Sequence, residues 1–317
     1  MWKPIEVLRD LKTYRAKYGK QFLPKVRDYA ASMILTPLAR RRGEREARYW
    51  ETVATERTGY LVVYPSGAEE NVVLPQHSLY KVAKLKGLEL THDEAELPTA
   101  AAVVKWTRRT VSDVAPRPGV RAINERCNDI SKRRATDAFE KVFGYALDRD
   151  PRTVRGRIVA KSDENGLHDG RIVEGPVEPE PGVVYQKLID SEANGFITEF
   201  RVPIVGAAVP FVYEKRRPVH ARFANFNTSV AVRETEDVFS ASEVQRLVAM
   251  AAQMGLDFGE IDVIRDKDDG RIYAIDVANT PWGPPGGIAS EEGRRAMHRL
   301  ADVFAKQFLH EQLAIAA

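Results

Sequence analysis

The sequence contains very little cysteine and no long apolar run. Among its 317 residues Cys127 is the single cysteine, which excludes an internal disulfide and a metal site built from several cysteines. No stretch approaches the ~18 to 20 consecutive apolar residues that a membrane-spanning helix needs. The first residues, Met-Trp-Lys-Pro, lack the apolar segment of a secretory signal. We therefore expect a cytoplasmic protein.

Two functional signatures are also missing. The sequence has no Ser-His-Asp or Cys-His pattern of a nucleophilic enzyme, and no recognised nucleic-acid-binding motif. The composition, with 44% hydrophobic and 29% charged residues, is that of an ordinary soluble enzyme. We therefore expect chemistry that needs no side-chain nucleophile, and no nucleic-acid partner.

Positive charge is concentrated at the N-terminus. Residues 1–48 carry thirteen Lys or Arg against five Asp or Glu. Such a segment is either a solvated helical face or a surface that contacts an acidic partner or a membrane peripherally. The sequence favours neither interpretation decisively, and no feature of it predicts an oligomeric state.

A proline-rich stretch at residues 115–119 predicts a domain boundary. Residues 1–118 form the first part, a basic helical segment followed by a small α/β domain with strands at 60–64 and 71–75 and a helix at 78–86. Residues 119–317 form the second part, with short strands separated by Gly, Pro or Asp and a capping box that begins at Ser240. The predicted fold class is α+β with mostly antiparallel sheets.

Two carboxylates face each other in a predicted hairpin near the C-terminus. Residues 259–266 and 271–281 are strand-like, and the turn between them is Lys-Asp-Asp-Gly. In an antiparallel pair Asp262 and Asp276 converge, and Asn279 follows as a neutral oxygen donor. Mg²⁺ that bridges nucleotide phosphates uses few protein carboxylates and keeps several waters. The hairpin therefore predicts a Mg²⁺ site of a nucleotide-dependent enzyme.

Three further motifs precede the hairpin in a fixed order. A strand at 157–162 contains Lys161 and is followed by a glycine-containing loop, a strand occupies 183–190, and an acidic-x-Arg element lies at 199–201. With the hairpin, these motifs make residues 123–284 resemble the ATP-grasp superfamily of carboxylate-amine ligases. The resemblance implies a two-lobed fold with antiparallel sheets and ATP and Mg²⁺ between the lobes.

The resemblance also implies a role for each matching residue. Arg201 and Arg222 would stabilise the oxyanion that forms when an amine attacks an acyl phosphate, and the substrates would be small-molecule or peptide carboxylates and amines. The implied nucleotide-binding residues are Lys132, Lys161, Gln186, Lys187, Leu188, Ile189 and Glu199, and the implied metal ligands are Asp262, Asp276 and Asn279.

The hairpin departs from the family pattern in two places. Asp276 replaces the commoner glutamate, and Ala278 occupies the position of the expected asparagine, with Asn279 one residue later. Either a bulge rotates Asn279 inward or water takes its coordination position. Two alternatives to a ligase stay open: a phosphotransferase on the same scaffold, and a degenerate nucleotide-binding or assembly protein.

Overall fold

A computed structural model describes residues 44–46, 48–53 and 56–309. Most of the basic N-terminal segment, with its expected helices, lies outside the described residues. The described residues between 49 and 309 form one compact unit, and within it residues 49–52 are helical. The predicted boundary near residue 119 stays a prediction. Among the described residues, no helix combines the length and apolar character needed to cross a bilayer.

The first layer is a small parallel sheet. Its strands are hydrogen-bonded in the order β2-β1-β3, and helix α1 connects β1 to β2, as parallel pairing requires a crossover. The predicted strand at 71–75 does not form, because a 3₁₀ turn at Glu69–Asn71 leads directly into an extended loop. The elements of this layer are β1 (Gly59–Tyr64), α1 (Ser78–Leu85), β2 (Leu88–Thr91) and β3 (Ala100–Lys105).

Two antiparallel sheets follow, and they confirm the predicted α+β class. The smaller sheet has the order β5-β4-β6, and the larger one β10-β9-β8-β11-β12, with β7 paired to β8. The strands are β4 (Gly156–Ser162), β5 (Arg171–Gly175), β6 (Val183–Lys187), β7 (Glu192–Ala193), β8 (Phe196–Val205), β9 (Val212–Pro218), β10 (Ser229–Arg233), β11 (Phe258–Arg265) and β12 (Ile272–Ala278).

Helices cover one face of the larger sheet. Helix α2 begins at the Ser131 cap and ends at Gly144 in the left-handed conformation. Helix α4 begins with the predicted capping box of Ser240 and Glu243. Both helices pack in one core with the apolar side chains of β8, β11 and β12. The later helices are α2 (Lys132–Phe143), α3 (Thr235–Val238), α4 (Ala241–Met254) and α5 (Ser290–Phe304).

A second core joins the parallel sheet to the rest of this unit. It contains side chains of β1, α1 and α5 together with residues at the end of the larger sheet, such as Phe211 and Phe258. Trp50 and Trp106 are fully buried in it. The parallel sheet is thus held against one end of the larger sheet by apolar packing.

Asn124 fastens the segment before α2 to the start of β11. Its Nδ2 donates to the Phe258 carbonyl at 2.7 Å, and its Oδ1 accepts from the backbone N–H groups of Asp257 and Phe258, each at 2.8 Å. The residue is buried and has a φ of 61°. Asparagine suits this position because it tolerates the left-handed conformation and satisfies three backbone groups at once.

Asn124→Ala is expected to lower the free energy of unfolding by about 3 kcal/mol, since buried backbone groups lose their partners. The measurement is urea unfolding followed by circular dichroism. Asn194→Ala is the matched control, because Asn194 is exposed and has a φ of 52°. The free energy of unfolding of Asn194→Ala is expected to fall by only about 1 kcal/mol, because alanine is strained in the left-handed conformation. Equal losses in both variants would contradict the role of the three hydrogen bonds.

His77 is a fully buried histidine at the start of α1. Its Nδ1 accepts a hydrogen bond from the Leu74 N–H at 2.8 Å, and its ring lies edge-on between the rings of Trp106 and Trp282. Burial, and then the positive charges of Arg108 and Lys81, lower the pKa of His77 to about 4. The histidine is therefore neutral in the folded protein at physiological pH.

Because this pKa lies below the unfolded value, the stability linked to His77 is fully present above about pH 6.5 and is lost as the pH falls toward 4. Over that pH range we expect the free energy of unfolding of the wild type to fall by about 3 kcal/mol relative to that of His77→Gln. Urea unfolding of both proteins at a series of pH values gives the difference. A difference that does not change with pH would contradict a buried neutral histidine.

Candidate active site

Charged side chains from four strands meet on one face of the larger sheet. Side chains alternate between faces along a strand, and directly opposed residues of antiparallel strands share a face. The register pairs Glu199 with Lys215, Arg201 with Asp262, and Asp262 with Asp276. These five side chains therefore lie on the face opposite α2 and α4, where the apolar residues of the same strands are packed.

A bulge in β12 makes the two aspartates oppose each other. The pairing shifts between Asp262 and Val263, so Ile275 has no direct partner on β11. Without that extra residue Asp276 would oppose Ile261 and point to the apolar face. The structure thus brings Asp262 and Asp276 together as the hairpin predicts.

Asp262 is bound by two cations. Arg201 donates to both carboxylate oxygens, Nε to Oδ1 at 2.9 Å and Nη2 to Oδ2 at 3.0 Å, and the Lys215 ammonium donates to Oδ1 at 3.0 Å. Burial alone would raise the pKa of Asp262, but attraction and hydrogen bonds from Arg201 and Lys215 outweigh it and hold the pKa below its usual range. Asp262 is therefore ionised, and both of its carboxylate oxygens accept hydrogen bonds.

Glu199 continues the chain of charges on the side of β9. Its Oε1 contacts the Lys215 ammonium and lies 3.3 Å from Nη2 of Arg217. The cations and carboxylates thus alternate from Arg217 to Arg201. Glu199, which the resemblance links to ribose, is a structural counter-ion of two cations in this arrangement.

Asp276 differs from Asp262 in its surroundings. Its Oδ1 accepts from the Val277 N–H at 3.1 Å and lies 3.9 Å from the Lys132 ammonium. Its side chain is 32% exposed, against 16% for Asp262. Asp276 is therefore the aspartate of the pair whose oxygens are open to a ligand.

Two lysines reach Asp276 from the side of the smaller sheet. The Lys161 ammonium donates to the Ile275 carbonyl at 2.7 Å, and the Lys132 ammonium donates to the Glu164 carbonyl at 2.9 Å. Burial lowers the pKa of Lys161 to about 8, against the opposing attraction of Asp276. In the loop after β4, the Asn165 side chain donates to the Val277 carbonyl at 2.8 Å. The loop and both lysines therefore lie against β12.

The residues around the end of β6 are held by contacts of their own. Gln186 donates to the Thr136 hydroxyl at 2.7 Å, and the Lys187 ammonium contacts Asp266 and Asp269 in the β11–β12 turn. Leu188 is half-buried and Ile189 is buried. The Ile189 side chain belongs to the apolar core beneath the larger sheet.

Arg222 and Asn279 are not brought to the aspartate pair. The Arg222 guanidinium donates to the Ile189 carbonyl at 2.9 Å, which puts it at the end of β6. The Asn279 side chain is buried against the Cys127 thiol, and its Oδ1 has no hydrogen-bond partner in the described part of the chain. Burial raises the pKa of that thiol to about 12, so Cys127 is no nucleophile.

Two buried residues of the charged face escape the sequence reasoning. Lys215 lies directly across from Glu199, and it is not among the sequence-predicted site residues. Glu260 has the sequence position of a peripheral strand start, yet it is buried with Oε2 at 3.5 Å from Nε of Arg201. Burial raises the pKa of Glu260 to about 7, opposed by Arg201. No single-residue signal in the sequence reveals that burial.

The described residues offer a divalent cation few ligands. Among them, no group of three or more His, Cys, Asp or Glu side chains is arranged to hold a metal ion. Mg²⁺ that binds together with phosphates needs only one or two protein carboxylates. Asp276 fits that requirement, whereas both oxygens of Asp262 are already bound.

No protein-family model matches the sequence, and no curated protein matches it at a significant level. Solved structures do match. D-alanine–D-alanine ligase from Bacillus anthracis complexed with ATP is 13% identical, with a TM-score of 0.49 over 82% of this chain and 99% of that chain.

The ATP-grasp ligase PsnB matches in at least four complexes, two of which illustrate the range. With minimal precursor, Mg and ADP it is 14% identical, with a TM-score of 0.47 over 80% of this chain and 99% of that chain. With a phosphomimetic variant of the minimal precursor, Mg and ADP, it is 16% identical with a TM-score of 0.42. In that complex the match covers 60% of this chain and only 62% of the PsnB chain. The chain is thus similar to solved structures of ATP-grasp ligases at low sequence identity.

Proposed function

We propose that the chain is an ATP-dependent ligase that joins a carboxylate to an amine through an acyl phosphate and releases ADP and phosphate. The observation that carries this proposal is the convergence of Lys132 and Lys161 on Asp276, where the smaller sheet meets β12. Two buried cations beside one open carboxylate suit a metal-bound polyphosphate, which needs both positive charge and a hard oxygen ligand.

Lys132 and Lys161 would bind the phosphate oxygens of ATP. Both ammonium groups donate to backbone carbonyls, so they are positioned in advance by neutral acceptors that an anion can replace. A pKa of about 8 leaves Lys161 mostly protonated at pH 7, and an approaching phosphate would favour its charged form further. Leu188 and Ile189, which follow β6, would border the adenine ring.

Asp276 would hold Mg²⁺ together with the phosphates. When bound there, Mg²⁺ supplies neutralisation of the charge on the phosphate oxygens. Its exposed carboxylate supports this role. The side chain of Asn279 is buried beside Cys127, so water rather than Asn279 would complete the coordination.

The reaction would take two steps. An oxygen of the substrate carboxylate attacks the γ-phosphorus, and the bond from that phosphorus to the β-phosphate oxygen breaks, which gives the acyl phosphate and ADP. The amine nitrogen then attacks the acyl carbon, the C–O bond to phosphate breaks, and the nitrogen loses a proton. Arg201 would stabilise the tetrahedral oxyanion through Nη1, since Nε and Nη2 donate to Asp262 and Nη1 has no partner among the described residues.

The substrates are proposed as a carboxylate and an amine on small molecules or peptides. A screen can find the carboxylate first, because hydroxylamine traps acyl phosphates as hydroxamates. The full chain is incubated with ATP, Mg²⁺, hydroxylamine and candidate carboxylates, and ADP, phosphate and hydroxamate are measured. Equal amounts of all three products support a ligase. Phosphate retained on the substrate would instead show a phosphotransferase.

Lys161→Met and Lys132→Met are each expected to weaken ATP binding roughly tenfold to hundredfold, because each removes a charge-assisted hydrogen bond to phosphate. Titration calorimetry with ATP and Mg²⁺ measures the loss. Lys141→Met is the matched control, since Lys141 lies exposed on the same helix as Lys132. Unchanged affinity in both site variants would contradict the assignment of the phosphate site.

A further inference from the structure

The two aspartates of the hairpin are unequal in the bonds that they already make. Asp262 accepts three hydrogen bonds from two cationic side chains, Arg201 and Lys215. Asp276 accepts one hydrogen bond from a neighbouring backbone N–H, and its nearest cation is 3.9 Å away. The two aspartates are the same residue type at opposed positions of the hairpin, but their electrostatic surroundings differ.

A carboxylate has about four lone-pair positions, so three accepted hydrogen bonds leave Asp262 little capacity for a metal ion. The nearby charges add a second obstacle. Arg201 and Lys215 hold their positive charges within 3.0 Å of the Asp262 oxygens. A divalent cation that approached Asp262 would therefore meet repulsion from both side chains at short range.

The same bonds give Asp262 a different use. The fork of Arg201 is held at two nitrogens, which fixes the plane of the guanidinium and leaves Nη1 for an external oxygen. Lys215 is 2% exposed and is fixed between Asp262 and Glu199. Without the Asp262 charge, Lys215 would keep only Glu199, among the described residues, as a carboxylate partner for its burial. Arg201 would likewise keep only Glu260 in that part of the chain.

We propose that Asp262 is a positioning residue that holds Arg201 and Lys215, and that Asp276 alone supplies a protein carboxylate to the divalent ion of the nucleotide. This inference rests on the proposed function, because it concerns the same nucleotide site. Both aspartates of the hairpin are predicted from sequence to be metal ligands. In this proposal only Asp276 binds the metal ion, and Asp262 holds the two cationic side chains.

The test compares ADP affinity with MgCl₂ and with EDTA in the full chain, by titration calorimetry. The ratio of the two dissociation constants reports how strongly the protein helps to hold the ion. In Asp276→Asn this ratio is expected to fall by at least about tenfold, since loss of even an indirect metal partner has that effect. In Asp262→Asn it should stay within about threefold of the wild-type ratio.

Glu214→Gln serves as the matched control for loss of a carboxylate. Glu214 neighbours Lys215 on β9 but faces the other side of the sheet, where it pairs with Arg233 at 2.8 Å. This variant should leave both the ratio and the two individual ADP affinities unchanged. Asp262→Asn, in contrast, should bind ADP more tightly under both conditions, because Arg201 and Lys215 keep their charge without the neutralising carboxylate.

Asp262→Asn is expected to have a lower thermal unfolding midpoint than the wild type. The double variant Asp262→Asn/Lys215→Met removes one negative and one positive charge together, so its midpoint should recover part of the loss. The ratio of ADP affinities is measured in the double variant as well, and it should again resemble that of the wild type.

Each outcome decides a separate claim. Loss of the metal-dependent ratio in Asp262→Asn or in the double variant, to the degree seen in Asp276→Asn, would overturn this inference and leave the proposed function standing. A wild-type chain that binds no ADP with or without Mg²⁺ would overturn the proposed function, and the inference with it. A retained ratio with tighter ADP binding supports both.

Discussion

The antiparallel register of β8, β9, β11 and β12 is the constraint on which the charged face depends. Side chains of opposite strands meet only if their positions are in register, and a shift of one residue moves a whole set to the other face. In the larger sheet this register brings Arg201, Lys215 and Asp262 into contact. The bulge at Ile275 extends the same face to Asp276. Strand pairing, rather than loop conformation, therefore sets the positions of these charged side chains.

Burial makes that constraint energetically demanding. Charges removed from water destabilise a fold unless they are paired and hydrogen-bonded, and a broken pair leaves an uncompensated charge. The larger sheet meets this requirement by alternating signs along one face, while its other face packs against α2 and α4 in an apolar core. The apolar core holds the strands in register, and the register in turn keeps the charges matched. Fold stability and site geometry are therefore coupled through the same strands.

Much of this organisation is predictable from sequence because it rests on local signals. The strands around Tyr60 and Asp262, the caps at Ser240 and Gly144, and the facing aspartates all follow from short-range patterns. The rest depends on contacts distant in sequence. Arg222 binds a carbonyl 33 residues away, and Glu260 is buried by elements on several sides. Such contacts leave no periodic trace in the sequence, so their residues could not be assigned from the motifs alone.

Strand β12 is the last strand of the larger sheet, so its outer backbone groups have no neighbouring strand within the described residues. The carbonyls of Ile275 and Val277 are nevertheless bound, by the side chains of Lys161 and Asn165. Open strand edges invite pairing with other chains and so promote aggregation. Lys161 and the loop after β4 therefore also cover this edge. Movement of Lys161 would leave the Ile275 carbonyl open, so part of the cover of this strand edge depends on a single flexible side chain.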